Sequence, residues 1–185
     1  MIATFLFFGF NIQNVIATDC DILSNALTSF SSTVKNEMDK VTDCCQFNGV
    51  TCNAQKQIVS LKFSKVINYQ LTLEQFFNEI ANLSQLSTIE LSNITGKINA
   101  GLPSTIGNLK SVKNFSSLMG FSSIPESIGN LTNLEKLDLS NNFINGKLPK
   151  VLASLSNLKY LDLSDNHIKG YIPYEFKNLN KLENL

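Results

Sequence analysis

The chain has 185 residues, enough for one domain. Fifteen Lys and Arg balance fifteen Asp and Glu, and 43% of residues are hydrophobic with no tryptophan. This is ordinary globular composition without the basic footprint of a nucleic-acid binder.

Residues 1–17 contain no Asp, Glu, Lys or Arg, and residues 2–10 form an apolar run. Small or branched residues follow at Val15, Ile16 and Ala17. This order predicts a secretory signal peptide over residues 1–18, cut near Ala17 or Thr18. The run is too short to span a bilayer, which needs about 20 residues. No other stretch is long enough, so no transmembrane span is expected.

Over residues 19–40, Ile22, Leu23, Ala26, Leu27, Phe30 and Val34 recur every three to four positions. That spacing predicts one amphipathic helix, capped by Asp19 or Asp21. Four cysteines follow or flank it: Cys20, Cys44, Cys45 and Cys52. An even count after a signal peptide reads as disulfides, with three possible pairings. A bond between adjacent Cys44 and Cys45 would be strained, which leaves two pairings open. The paired C-x₂₋₄-C spacing of a zinc site is missing, so no metal is expected.

Residues 58–64 place Ile58, Val59, Leu61 and Phe63 in a first strand. Thr72-Leu73-Glu74-Gln75 has the pattern of a capping box, and Leu73, Phe76, Phe77 and Ile80 follow at helical spacing. Residues 83–108 and 109–130 form two irregular units. In the second of these, Ser117 and Gly120 stand where Leu and Asn belong, so it is expected to pack least well.

The clearest signal lies at residues 131–176. Leu131, Leu134, Leu137, Leu139, Asn142, Ile144, Gly146, Leu148 and Pro149 align with Leu155, Leu158, Leu161, Leu163, Asn166, Ile168, Gly170, Ile172 and Pro173, at a constant offset of 24. A repeat of this period means a solenoid. Leu137 and Leu139 are two apart, which is strand spacing. Asn145-Gly146 and Pro149 then rule out a continuing helix. Each unit is thus a strand, a bend, an extended return and a turn, and stacking completes the apolar core. Strand centres fall at Leu61, Ile89, Phe115, Leu137, Leu161 and Leu185, and the extra residues of the longer units belong at 64–71 and 97–102. Leu185 begins a further unit without a return, so a piece of a longer protein is expected.

The pattern L-x-x-L-x-L-S-x-N-x-I-x-G-x-L-P at residues 134–149 resembles the plant-type leucine-rich-repeat family. Residues 43–52, Asp-Cys-Cys-Gln-Phe-Asn-Gly-Val-Thr-Cys, are similar to that family's N-terminal cap, with Phe47 where Trp is usual. The resemblance implies an α/β fold: a right-handed solenoid with a concave parallel sheet, a disulfide-bonded helical cap over 19–57 and repeats over 58–185, the last incomplete. It also implies the pairs Cys20–Cys44 and Cys45–Cys52. Receptor-kinase ectodomains and polygalacturonase-inhibiting proteins carry such units.

No catalytic set, phosphate loop or cofactor motif stands out. His167, the only histidine, reads as a solvated bend residue, and the repeated Asp138 and Asp162 as solvated carboxylates. What remains is a surface. Residues alternating with the core leucines face the concave side: Ser60, Lys62 and Ser64; Thr88, Glu90 and Ser92; Asn114, Ser116 and Leu118; Lys136, Asp138 and Ser140; Tyr160, Asp162 and Ser164. Lys62, Glu90, Asn114, Lys136, Asp138, Tyr160 and Asp162 are the candidate contacts for a protein or peptide partner, with Tyr160 a favoured hot-spot type. Asn82, Asn93, Asn114 and Asn130 begin N-x-Ser/Thr glycosylation sequons. The expected function is a secreted or cell-surface, non-catalytic binding module. An inhibitor of wall-degrading glycosidases and the start of a receptor-kinase ectodomain are narrower versions.

Overall fold

The structure, a computed structural model, describes residues 18–66, 72–94 and 101–185. The signal-peptide expectation falls outside these residues except at Thr18, and the two expected insertions fall largely outside them.

The N-terminal segment forms two helices where one was expected, α1 (Asp19–Phe30) and α2 (Ser32–Met38). Ser31 makes the break. Its extended backbone closes α1 through its amide on Leu27 O, and its hydroxyl accepts from Val34 N to start α2. Short hydroxyl side chains offer the backbone this alternative to continuous helix. Neither aspartate is the cap of α1. Thr18 is, in a capping box with Asp21: Asp21 N donates to Thr18 Oγ1 at 3.2 Å, and Thr18 N donates to Asp21 Oδ2 at 2.9 Å. Asp19 instead accepts from Ile58 N at 2.7 Å, which ties the helix to the first repeat strand. Cys20 is bonded to Cys44, and Cys45 to Cys52.

Five parallel strands make the main sheet: β2 (Ile58–Ser64), β3 (Thr88–Ser92), β4 (Asn114–Leu118), β5 (Lys136–Asp138) and β7 (Tyr160–Asp162). A sixth, β1 (Val50–Cys52), runs antiparallel along β2 and covers its outer edge. The register stacks Leu61, Ile89, Phe115, Leu137 and Leu161 on successive rungs, as the offset predicted. All five are at most 1% exposed. Helix α3 (Leu73–Ile80) backs the first coil, and short 3₁₀ turns at Ser104–Asn108, Glu126–Asn130, Lys150–Ser154 and Tyr174–Asn178 back the others. Thr72 takes the N-cap position of α3, but its side chain makes no cap bond to the helix. Its amide donates instead to Ser29 O of α1 at 3.1 Å. Phenylalanines weld the cap to the stack. Phe30 of α1 lies on Phe76 of α3 with centroids 4.4 Å apart, and Phe77 meets Phe115 edge-on at 6.1 Å.

Each of the five parallel strands is followed within three residues by a left-handed one: Lys65, Asn93, Asn141 and Asp165, with Gly120 in the third rung. Asn and Asp tolerate this conformation better than most residues, which gives the repeat its Ser-Asn/Asp step after the strand. The chain then extends, and in the last two rungs it pairs again as β6 (Asn145–Gly146) with β8 (His167–Ile168).

Two asparagines stitch the bends. Asn142 is 3% exposed; its amide donates to Ser117 O, Leu139 O and Ser140 O, and its Oδ1 accepts from Met119 N, Gly120 N and Phe121 N. Asn166 repeats the pattern, donating to Leu139 O, Leu163 O and Ser164 O and accepting from Ile144 N. Each asparagine thereby satisfies backbone groups of its own rung and of the rung before.

Candidate functional site

The concave face is set by strand alternation: inward leucines fix which neighbours point out. Register lines these neighbours into rows across the rungs. One row runs Ser60, Thr88, Asn114, Lys136, Tyr160, and the next runs Lys62, Glu90, Ser116, Asp138, Asp162. All seven candidate residues therefore share one face. Ser60 does not belong to the exposed strip as expected. It is 9% exposed, because β1 pairs beside it with Thr51 opposite and removes that edge from solvent.

The seven divide into separate groups. Lys62 and Glu90 form an ion pair at 2.8 Å on the first two rungs. Asn114 is half-buried and donates to Thr88 Oγ1 at 3.3 Å. Lys136, Asp138, Tyr160 and Asp162 form one connected cluster on adjacent rungs. The Lys136 ammonium lies 3.6 Å from Asp138 Oδ2 and 4.7 Å from the Tyr160 ring centroid. The Tyr160 hydroxyl donates to Asp162 Oδ2 at 3.0 Å. Each aspartate also accepts from the serine two residues on, Ser140 Oγ at 2.8 Å and Ser164 Oγ at 2.6 Å.

These contacts set the protonation states. The Ser164 hydroxyl and amide hold the Asp162 carboxyl below its ordinary value. The bond to Asp162, with partial desolvation and the two carboxylate charges, raises the Tyr160 phenol. The cluster thus presents an ionised Asp162 carboxylate and a neutral Tyr160 phenol, with Asp138 and the Lys136 side chain held beside them. It has the donors, acceptors and aromatic surface to recognise a polar ligand. Leu118, 37% exposed, is the apolar residue of the strip's third rung.

Among the described residues, no group of three or more His, Cys, Asp or Glu is placed to hold a metal. No helix among them is long and apolar enough to cross a membrane. Of the four sequon asparagines, Asn82, Asn93 and Asn130 are exposed, and Asn114 is the half-buried one.

Comparison with known proteins follows the same lines. Residues 132–185 match the family model described as "Leucine rich repeat". The chain has the fold of a leucine-rich-repeat solenoid. A search of curated protein sequences returns no match. Among solved structures, the PEPR1–AtPEP1 complex is similar over 89% of this chain and 23% of its own, at 27% identity and a TM-score of 0.69. The Arabidopsis receptor kinase HAESA, in complex with the peptide hormone IDA and the co-receptor SERK1, is similar over 92% of this chain and 33% of its own, at 23% identity and a TM-score of 0.65. A plant ice-binding protein is similar over 88% of this chain and 52% of its own, at 26% identity and a TM-score of 0.65. The chain therefore spans less than two thirds of each of these three. A hormone receptor and an ice binder share one scaffold, so what this solenoid binds must be argued from its own surface.

One surface was not foreseen from the sequence. In the extended returns, Phe143, Asn145 and Lys147 point away from buried Ile144, and His167, Lys169 and Tyr171 do the same on the next rung. The alternation around Ile144 and Ile168 carried the signal, but two-residue strands are too short to stand out in a sequence.

Proposed function

We propose that this chain is an extracellular, non-catalytic recognition module that binds a protein or peptide across its concave strands. The observation that carries this is the Lys136, Asp138, Tyr160 and Asp162 cluster. Four side chains from two rungs are held by one another in an open position, so little side-chain freedom remains to be lost on binding. The two disulfides agree with an oxidising compartment, and the signal-peptide reading of residues 1–18 with export. The peptide-hormone complex of HAESA offers a parallel from a protein of the same fold. The reading requires Asn114 to stay free of glycan, and its amide is already bonded to Thr88.

The test uses the full chain, secreted with its disulfides and immobilised, against the peptide fraction of extracellular fluid. Captured peptides are quantified by mass spectrometry for the wild type, Tyr160→Ala and Asp138→Asn/Asp162→Asn. A specific set captured by the wild type and reduced about tenfold or more in both variants is expected, as for a hot-spot residue. Equal capture by all three proteins would overturn the reading.

A further inference from the structure

The outer face of the β6–β8 ribbon has a composition unlike the rest of the molecule. Its six outward positions are Phe143, Asn145, Lys147, His167, Lys169 and Tyr171, and all are exposed. None is a carboxylate. The nearest acids in sequence are Asp165, at the bend two residues before His167, and Glu175, which is held by Lys150 at 2.8 Å. Among the described residues, Lys147 and Lys169 form no ion pair, a state they share with Lys65, Lys110, Lys177 and Lys181, whereas the other eight described lysines are paired. Each directly follows one of the two paired strands, and the Lys147 side chain passes 3.6 Å from where a Cβ on Gly170 would sit. The rings are equally open. Phe143 is 60% exposed and Tyr171 97% exposed. Phe143 and His167 stack across the two rungs with centroids 6.1 Å apart and planes 28° from parallel.

We infer that this ribbon is a second binding surface, distinct from the concave strip, and that it takes an acidic polysaccharide of uronic-acid sugars. Two unpaired ammonium groups call for an anion. A shared platform of rings calls for a flat, C–H-rich partner, since the ring face is electron-rich. A uronic acid meets both demands in one sugar unit, with a carboxylate on one edge and an apolar pyranose face. Adjacent strands lie about 4.8 Å apart and alternate residues about 6.7 Å apart. Cations and rings are therefore spaced on the scale of single sugar units. An anionic membrane is the rival partner. The disulfides argue for the oxidising side, whereas the anionic lipid surface belongs to the cytoplasmic leaflet.

The experiment is affinity electrophoresis of the secreted full chain through gels containing polygalacturonic acid, fully methyl-esterified polygalacturonate, or no polymer. Flotation with phosphatidylserine–phosphatidylcholine vesicles runs in parallel. Retardation by the free acid alone is expected, weakening as salt rises. Lys147→Gln/Lys169→Gln should lower the apparent affinity about tenfold, and Tyr171→Ala should lower it several-fold. A Lys40→Gln/Lys110→Gln control and the concave Tyr160→Ala variant should migrate as wild type. Circular dichroism confirms that each variant is folded, and these exposed positions carry no core contact to lose. The inference falls if the free acid fails to retard the wild type. It also falls if the ester retards it equally, if Lys147→Gln/Lys169→Gln is retarded as strongly as wild type, or if the chain floats with the vesicles and ignores the polymer. Because Tyr160→Ala reports on the concave strip alone, failure here and failure of the peptide reading are separable.

Discussion

Tyr160 is the residue whose state reports most directly on the concave cluster. Its phenol donates to Asp162, so ionising it would set two negative groups against each other, with Asp138 adding to the repulsion. Its folded value is raised above the ordinary tyrosine value of about 10. That contribution to stability is complete below the unfolded pKa and is lost as pH rises through the folded one. Asp162 behaves oppositely. Its carboxyl is depressed, so its contribution is present above the unfolded value of about 4 and is lost as pH falls. In a phenolate absorbance titration, the component removed by Tyr160→Phe is expected to ionise above the ordinary tyrosine range. Asp162→Asn should bring that component back toward the ordinary range. If that component ionises at the ordinary tyrosine value in the wild type, the cluster does not persist in solution. The residue types were legible as a strip in the sequence, since period two assigns faces. Their division into a Lys62–Glu90 pair and a four-residue cluster was not, because Ser116 separates the two only once the register is known.

At the scale of one rung, the third is the informative case. It lacks both the leucine and the asparagine of the repeat, and from the sequence it was expected to pack worst. Its bend is in fact well satisfied, because Asn142 of the next rung supplies the acceptor for three successive amides. Phe121 fills the interior fully. At the leucine position, Ser117 is 2% exposed with no hydrogen-bond partner for its hydroxyl, and the Ser127 hydroxyl of the same unit is likewise buried without one. Two substitutions should therefore move stability in opposite directions. Asn142→Ala strands several buried backbone groups on two rungs and should cost roughly 3 kcal/mol. Ser117→Ala removes an unpaired polar atom and should stabilise by about 1 kcal/mol. Denaturant midpoints at constant slope would show this, and a destabilised Ser117→Ala would mean the hydroxyl is satisfied. The asparagine's own place at the bend could be read from the repeat. Its service to the preceding rung could not, since that depends on how two units of unequal length align. The same holds for Ser31, whose role as a break appears only when its amide is seen on Leu27 O and its hydroxyl on Val34 N, and for Ser60, buried by a strand the sequence did not announce.

Across the whole molecule, stability should be graded rather than uniform, because each rung touches only its neighbours. The N-terminal side is held by two disulfides, the Asp19–Ile58 bond and the Phe30–Phe76 stack. On the far side, Leu163 is only half-buried, Leu185 is 68% exposed, and Leu161, Leu163, Ile168 and Ile172 line an open hollow of about 620 Å³. Expressed as these 185 residues alone, the chain should therefore open first at the β7 rung, with opening spreading toward β5. Native-state hydrogen exchange offers the readout. The amides of Ile89 and Leu91 in β3 should exchange only with global unfolding, and those of Tyr160 and Leu161 in β7 well before it. Leu137→Ala, a fully buried truncation costing about 2–5 kcal/mol, should then loosen β5 and β7 while leaving the exchange order of β2 and β3 unchanged. Equal protection across all five strands would mean the stack opens as one cooperative unit, with rungs coupled more tightly than nearest-neighbour contacts allow. In that 185-residue chain Tyr160 and Asp162 ride on the most easily opened rung. A ligand spanning β5 and β7 would bind by ordering that rung, and its occupancy should raise protection at Leu161 first.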